Sequence, residues 1–120
     1  MTSYKNLEAW KKSMELVRDI YMVTKTYPKE ELYSLTGQTR RAVISVPSNI
    51  AEGQGRRTTS DFLRHLSIAY GSLREVETQA MIAQRLKYVA GANVKCVIDR
   101  AGDVGRLLNG LMSALEKRTA

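Results

Sequence analysis

The chain of 120 residues holds one histidine, His65, and one thiol, Cys96. Zinc and related metals take three or four nitrogen and sulfur ligands, so no His/Cys metal site can be assembled from a single copy. A serine nucleophile would need His65 beside an exposed elbow between a strand and a helix. Nothing in the sequence resembles one, and His65 reads as a helix-surface histidine. The stretch "EGQGRR" contains a G-x-G, but it follows helical rather than strand patterning and lacks the Lys-Ser/Thr of a phosphate loop. Cys96 lies among Val94, Val97 and Ile98 and reads as a buried, inert thiol. Catalytic residues, metals and cofactors are therefore all expected to be absent.

The residue type with chemistry to offer is arginine. Between Thr36 and Arg74 there are six arginines, two acids (Glu52 and Asp61) and no lysine. A guanidinium presents a flat fork of donors that pairs with phosphate or carboxylate through two bonds, which an ammonium cannot do. Arg40 and Arg41 precede the stretch "AVISVPSNIAEG", and Arg56 and Arg57 follow it, with Arg64 close behind. Arg56, Arg57 and Arg64 are expected to form a basic patch at one end of the fold. Arg40, Arg41, Arg56, Arg57 and Arg64 are the expected contacts to nucleic-acid phosphates, and some of those around the turn would also hold Glu52 and Asp61 in internal salt bridges. Glu52 is expected to bond to Asn49, Arg40, Arg41 or a neighbouring helix end.

The whole-chain charge points the same way. The formal net charge is +7 and the isoelectric point about 9.8, values that favour a polyanionic partner such as RNA or DNA. The lone cysteine suits a reducing compartment. The N-terminal stretch has no apolar segment of the signal-peptide kind, and no apolar run approaches the roughly 20 residues of a membrane span. A cytoplasmic protein without membrane contact is expected. The length fits one domain with its own core.

The period of the apolar residues places these groups on helices. Leu7, Trp10, Met14, Val17, Tyr21 and Thr24 step by three and four, with Asn6 as N-cap and Pro28 as the stop. Ile20, Val23 and Tyr27 form a second stripe on the same helix. In the next segment Leu32, Leu35, Thr39, Ala42, Val46 and Asn49 keep the same steps, and Val43 and Ile50 widen the face. The period continues through Pro47. A proline inside a helix costs about 3 kcal/mol, so the chain either stops at Val46 and restarts, or forms one helix kinked near Pro47. The unbroken apolar face favours the single kinked helix. Ser45 and Ser48 would serve the freed backbone groups, and Gly53 or Gly55 would end the helix.

The third seam is Phe62, Leu66, Ala69, Leu73, Val76, Ala80 and Ala83, capped by Thr59 or Ser60. The fourth is Val97, Ala101, Val104, Leu108, Leu111 and Leu115, after a turn at Gly91 and a cap at Asn93. Gly102, Gly105 and Gly110 are expected to admit a close neighbour. The spacing predicts helices over about 6–27, 32–53, 60–88 and 93–117 in an all-α, antiparallel, up-down four-helix bundle, one domain over residues 1–120. The second apolar stripes, continued by Val94, Ile98 and Leu107 and by Leu63, Tyr70 and Met81, predict a subunit interface.

Three stretches carry a resemblance: "YKNLEAWKKSMELVRDIY", "QTRRAVISVPSNIAEGQGR" and "DFLRHLSIAYGSLREVETQ". Together they resemble the four-helix-bundle family named for the 23S rRNA intervening-sequence protein, from Tyr4 to about Val89. The ordered run of an arginine pair, Ser45, Pro47, Asn49, Ile50, Ala51, Glu52 and Gly53 is its most specific part. The resemblance implies a barrel-like homo-pentamer of bundles encoded within ribosomal RNA insertions. It also implies kinship with the accessory variability determinant of diversity-generating retroelements, which works beside a reverse transcriptase and is thought to bind nucleic acid. Two functions are compatible with it. One is a nucleic-acid-binding accessory protein, acting on structured RNA. The other is an interaction module docking on an acidic partner such as a reverse transcriptase.

Overall fold

The computed structural model describes residues 3–119. A short 3-10 turn, Tyr4–Asn6, leads into α1 (Glu8–Thr24). A second such turn, Lys29–Glu31, precedes α2 (Leu35–Gln54), followed by α3 (Thr59–Arg85) and α4 (Gly91–Thr119). No strand occurs among the described residues. α1 packs on α2 and α4, and α3 packs on α2 and α4, while the diagonal pairs do not meet. Connections this short force neighbours to run antiparallel, and the result is a four-helix bundle. It is a rod 47 Å long and 24 by 21 Å across.

The expected seams of α3 and α4 lie in the core except for Phe62 and Leu111, which are half-buried against it. Leu66, Ala69, Leu73, Val76, Ala80 and Ala83 are buried, as are Val97, Ala101, Val104, Leu108 and Leu115. α1 is different. Its core face is Ala9, Ser13, Leu16, Ile20 and Thr24, so of the expected first stripe only Thr24 is buried, while Ile20 and Tyr27 of the second stripe are. Trp10 and Val17 are only half-buried, and Met14 is exposed. The polar members of the true face hide their hydroxyls in their own helix. Ser13 Oγ donates to the Trp10 carbonyl at 2.8 Å, and Thr24 Oγ1 to that of Ile20 at 2.7 Å. A hydroxyl satisfied this way buries like a methyl group, which apolar periodicity does not register.

Ile20, Tyr27 and Val94 are thus core residues, and Val23, Leu63, Tyr70, Ile98 and Leu107 pack against the core. Most of the second stripes are used within one chain. Cys96 is exposed, not buried, because one helical step of about 100° separates it from the inward-facing Val97. Of the α4 glycines, Gly105 faces α3, where its missing Cβ lies 3.4 Å from Leu73 Cδ2; Gly102 and Gly110 meet no other helix.

The helix ends differ from the expected ones for identifiable reasons. The Asn6 cap is not used: Leu7 occupies the N-cap position of α1 with no side-chain bond. α2 starts at Leu35 rather than Leu32, because Glu31 Oε1 reaches forward to accept from the Leu35 N–H at 3.3 Å. The same carboxylate takes Ser34 Oγ and Tyr88 Oη. Thr58, rather than Thr59 or Ser60, caps α3 by accepting from the Asp61 N–H at 3.0 Å. α3 ends at Arg85, short of Tyr88. There Lys87 adopts a left-handed φ of 64°, and the Lys87 and Tyr88 amides return to the Gln84 and Ala83 carbonyls, the pairing that closes a helix C-terminus. α4 then begins at Gly91, so neither a turn there nor a cap at Asn93 is formed.

α1 and α4 are joined by Asp19 and Arg100, whose Nε stands 3.1 Å from Asp19 Oδ2 without hydrogen-bond alignment. Burial pushes the Asp19 carboxyl above its ordinary value of 3.8, and the attraction of Arg100 only partly opposes this. The folded chain therefore takes up this proton at higher pH than the unfolded chain. Stability falls as pH rises between the two values, and above them Asp19 carries a constant penalty. Asp19→Asn is expected to stabilise the chain at pH 7 by less than about 1 kcal/mol, given the partial exposure of Asp19, and so to raise the urea midpoint. That advantage should vanish below pH 3.8, where both side chains are neutral, and urea melts at the two pH values measure it.

Candidate functional site

α2 runs unbroken through Pro47, as one helix rather than two. Ser45 and Ser48 do not repair the backbone around the proline. Ser45 Oγ instead pairs with Ser72 Oγ of α3 at 2.9 Å, and Ser48 is exposed. Asn49 does the local bonding: its Nδ2 donates to the Ser45 carbonyl at 2.9 Å and meets Ser45 Oγ at 3.0 Å. One turn on, Gly53 lets α3 come close. A Cβ built there would lie 2.7 Å from His65 Cβ and 2.9 Å from Phe62 Cδ1, distances that no side chain tolerates.

This close approach delivers His65 to the end of α2. The ring is 5% exposed and is no surface histidine. Its Nδ1 lies 2.9 Å from Asn49 Oδ1 and 3.8 Å from Glu52 Oε2. Its Nε2 meets Arg56 Nε at 3.3 Å and Arg64 Nη2 at 3.4 Å. The chain Ser72, Ser45, Asn49, His65 thus runs along the α2–α3 seam and ends on two guanidinium groups at the turn between the helices.

Residue type alone does not single out His65 for this place. Its signal in the sequence is spacing, since it stands three residues after Phe62 and four before Ala69, at the edge of the α3 seam. Glu52 is exposed, and among the described residues its carboxylate lies near His65 rather than within ion-pair reach of an arginine. It occupies the Nδ1 side of the ring, whereas Arg56 and Arg64 are held on the Nε2 side. Asp61 has no ion-pair partner among the described residues, and its backbone N–H is taken by the Thr58 cap.

The two arginine pairs are not one patch. About 16 residues at 1.5 Å each put Arg40 roughly 24 Å along the axis from Arg56. Arg40 is engaged with α1: its Nε donates to Thr24 Oγ1 at 2.9 Å, and its guanidinium stacks 4.6 Å from the Tyr21 ring centroid. Arg41 is exposed on the α2–α3 side, beside Gln38, Ser45, Ser72 and Glu75. Arg56, Arg57 and Arg64 are all exposed at the turn, and none has a carboxylate partner among the described residues. Arg74, by contrast, is held by Glu77 at 2.7 Å and by Tyr70.

Neither a cluster of three His, Cys, Asp or Glu side chains fit to hold a metal nor a helix long and apolar enough to cross a membrane occurs among the described residues. Trp10, Met14 and Val17 of α1, with Ile44, Pro47 and Ala51 of α2, line an open apolar groove of about 340 Å³. Exposed Ile68, Met81 and Ile82 leave further apolar surface uncovered.

Among solved structures, the chain is similar to a protein with unknown function from the S23 ribosomal protein family of Bacteroides thetaiotaomicron. The TM-score is 0.79 at 21% identity, covering 88% of this chain and 95% of that one. At that identity the likeness shows the fold. No curated protein matches the sequence. The family model for the 23S rRNA-intervening sequence protein matches residues 5–110, nearly the whole bundle including the α2–α3 turn, and the chain belongs to that family.

Proposed function

We propose that the chain is a non-enzymatic, cytoplasmic accessory protein that binds nucleic acid, structured RNA foremost, through the basic end of the bundle. The observation that carries this reading is the cluster of Arg56, Arg57 and Arg64. These are three exposed guanidinium groups around one turn, with no carboxylate within ion-pair reach among the described residues. Phosphate contacts of this kind depend steeply on salt and weakly on sequence. A homo-oligomer, a pentamer of bundles, would multiply the contacts, and the exposed apolar surface on α1, α2 and α3 supports such an assembly.

Replacing Arg56, Arg57 and Arg64 by alanine is expected to weaken binding of unrelated structured RNAs about equally. The salt slope should become shallower by roughly 0.7 to 0.9 for each phosphate the variant no longer neutralises. Helicity and the mass measured by light scattering should not change, since exposed charges contribute only about 0–1 kcal/mol per pair to stability. Filter binding at several salt concentrations, beside a thermal melt, measures both. The apolar α1–α2 groove favours a second reading, a module docking on an acidic protein such as a reverse transcriptase. Unaltered RNA binding by the triple variant, with loss of a protein partner, would select it. A monomer of 13.5 kDa at micromolar concentration would end the oligomer proposal.

A further inference from the structure

The hydrogen bonds that lead from α2 to the basic turn have only one possible direction. The Ser45 carbonyl oxygen can only accept, so the Asn49 amide nitrogen at 2.9 Å donates. That turns Asn49 Oδ1 toward His65 Nδ1, 2.9 Å away, where the oxygen must accept in turn. Nδ1 therefore carries the imidazole proton, and Nε2 presents a lone pair. The other end demands the same arrangement. Guanidinium groups have donors only, and two of them approach Nε2 at 3.3 and 3.4 Å. A backbone carbonyl at one end and two arginines at the other thus fix a single tautomer between them. The ring is buried, so water does not compete for either nitrogen.

We infer that His65 is a positioning residue for phosphate recognition. It gathers Arg56 and Arg64 onto one atom and so aims both guanidinium groups at a single backbone phosphate of a nucleic acid. The inference rests on the nucleic-acid reading above and assigns that site its organising residue. Two like charges brought together on a neutral ring repel each other, and nothing among the described residues neutralises either by an ion pair. Glu52, the nearest acid, stands 3.8 Å from the opposite nitrogen. An anion on the solvent side of the pair supplies the missing charge. Each guanidinium has five N–H donors and gives one to His65, which leaves a fork on each for phosphate oxygens. Side chains already held in place also lose less conformational freedom on binding. Arg57, whose side chain makes no hydrogen bond among the described residues, is the unheld third cation.

The test is a double-mutant cycle on the full chain, read by fluorescence anisotropy of a labelled hairpin RNA. His65→Phe keeps the ring and its approximate volume and removes both nitrogens. In the parent it is expected to weaken binding about tenfold through lost pre-organisation. In an Arg56→Ala/Arg64→Ala background it should change nothing, because there is nothing left to position. A His65→Phe protein that binds as tightly as the parent overturns the inference, as does a loss that persists undiminished in the double-alanine background. Nitrogen NMR of the unaltered protein needs no variant to fold. His65 is the only histidine, and a proton on Nδ1 alone at neutral pH supports the assignment, while a proton on Nε2 overturns it. Displacement of the RNA by inorganic phosphate at matched ionic strength would make free phosphate the ligand and overturn the assignment to a backbone phosphate. A parent protein with no affinity for RNA at any salt concentration overturns the nucleic-acid reading itself, and this inference with it. A parent that binds beside an unaffected His65→Phe variant overturns the positioning role alone.

Discussion

Leu73→Asp is expected to leave the chain unfolded at room temperature. Leu73 is 1% exposed at the middle of the α3 seam, and its Cδ2 packs where Gly105 of α4 lacks a side chain. Removing a buried leucine costs about 2–5 kcal/mol through the apolar burial forgone and the cavity left behind. An unpaired buried carboxylate at the same place adds several kcal/mol more. Domains of this kind are stable by about 5–15 kcal/mol, so the sum consumes most or all of the margin. Thr78→Asp, at an exposed position on the same helix, is the control and should shift the melt by no more than about 0.5 kcal/mol. Circular dichroism and urea titration of the two variants decide the matter. A cooperatively melting, fully helical Leu73→Asp protein would mean that the α3 core face is wrongly assigned.

Gly53→Ala is expected to destabilise the bundle, although alanine is the better helix former by about 1 kcal/mol. The new Cβ would sit 2.7 Å from His65 Cβ and 2.9 Å from Phe62 Cδ1. The first of these atoms is fixed to the α3 backbone, so relief requires the two helices to separate. Overpacking of this kind costs about 1–3 kcal/mol, which exceeds the propensity gain. Gly53→Val, with two more carbons in the same place, should cost more again. Gly71→Ala is the matching control. Gly71 also lies inside a helix, but nothing stands within 4 Å of its added Cβ, and it should stabilise by about 1 kcal/mol. Urea midpoints of opposite sign for the two alanine variants are the expected result. A neutral or stabilising Gly53→Ala would show that the α2–α3 approach is looser than described. The same substitution should weaken RNA binding, since it pushes directly on the residue that holds Arg56 and Arg64.

Periodicity alone settled the number of helices, their order and the inward faces of α3 and α4. Leu66 to Ala83 and Val97 to Leu115 each carry a main stripe unbroken in steps of three and four, and the flanking apolar residues only widen the face that it buries. α1 carries two. The larger side chains, Trp10 and Met14, made the outer one look like the core. The choice between them was made in three dimensions, where Ala9, Ser13 and Thr24 are buried and the hydroxyls of Ser13 and Thr24 bond to their own helix. The helix ends were likewise decided by contacts across the fold or within the turn, such as Glu31 reaching Leu35 and Tyr88, which no local preference encodes. At the candidate site the residue types were legible: the arginines, Asn49 and Gly53 stand out in "RRAVISVPSNIAEGQGRR". Their partners were not. Glu52 looked like the natural mate of an arginine, but hydrogen-bond direction and the close packing at Gly53 gave that place to His65. A lone histidine declares itself only when the tertiary fold shows what faces each of its nitrogens.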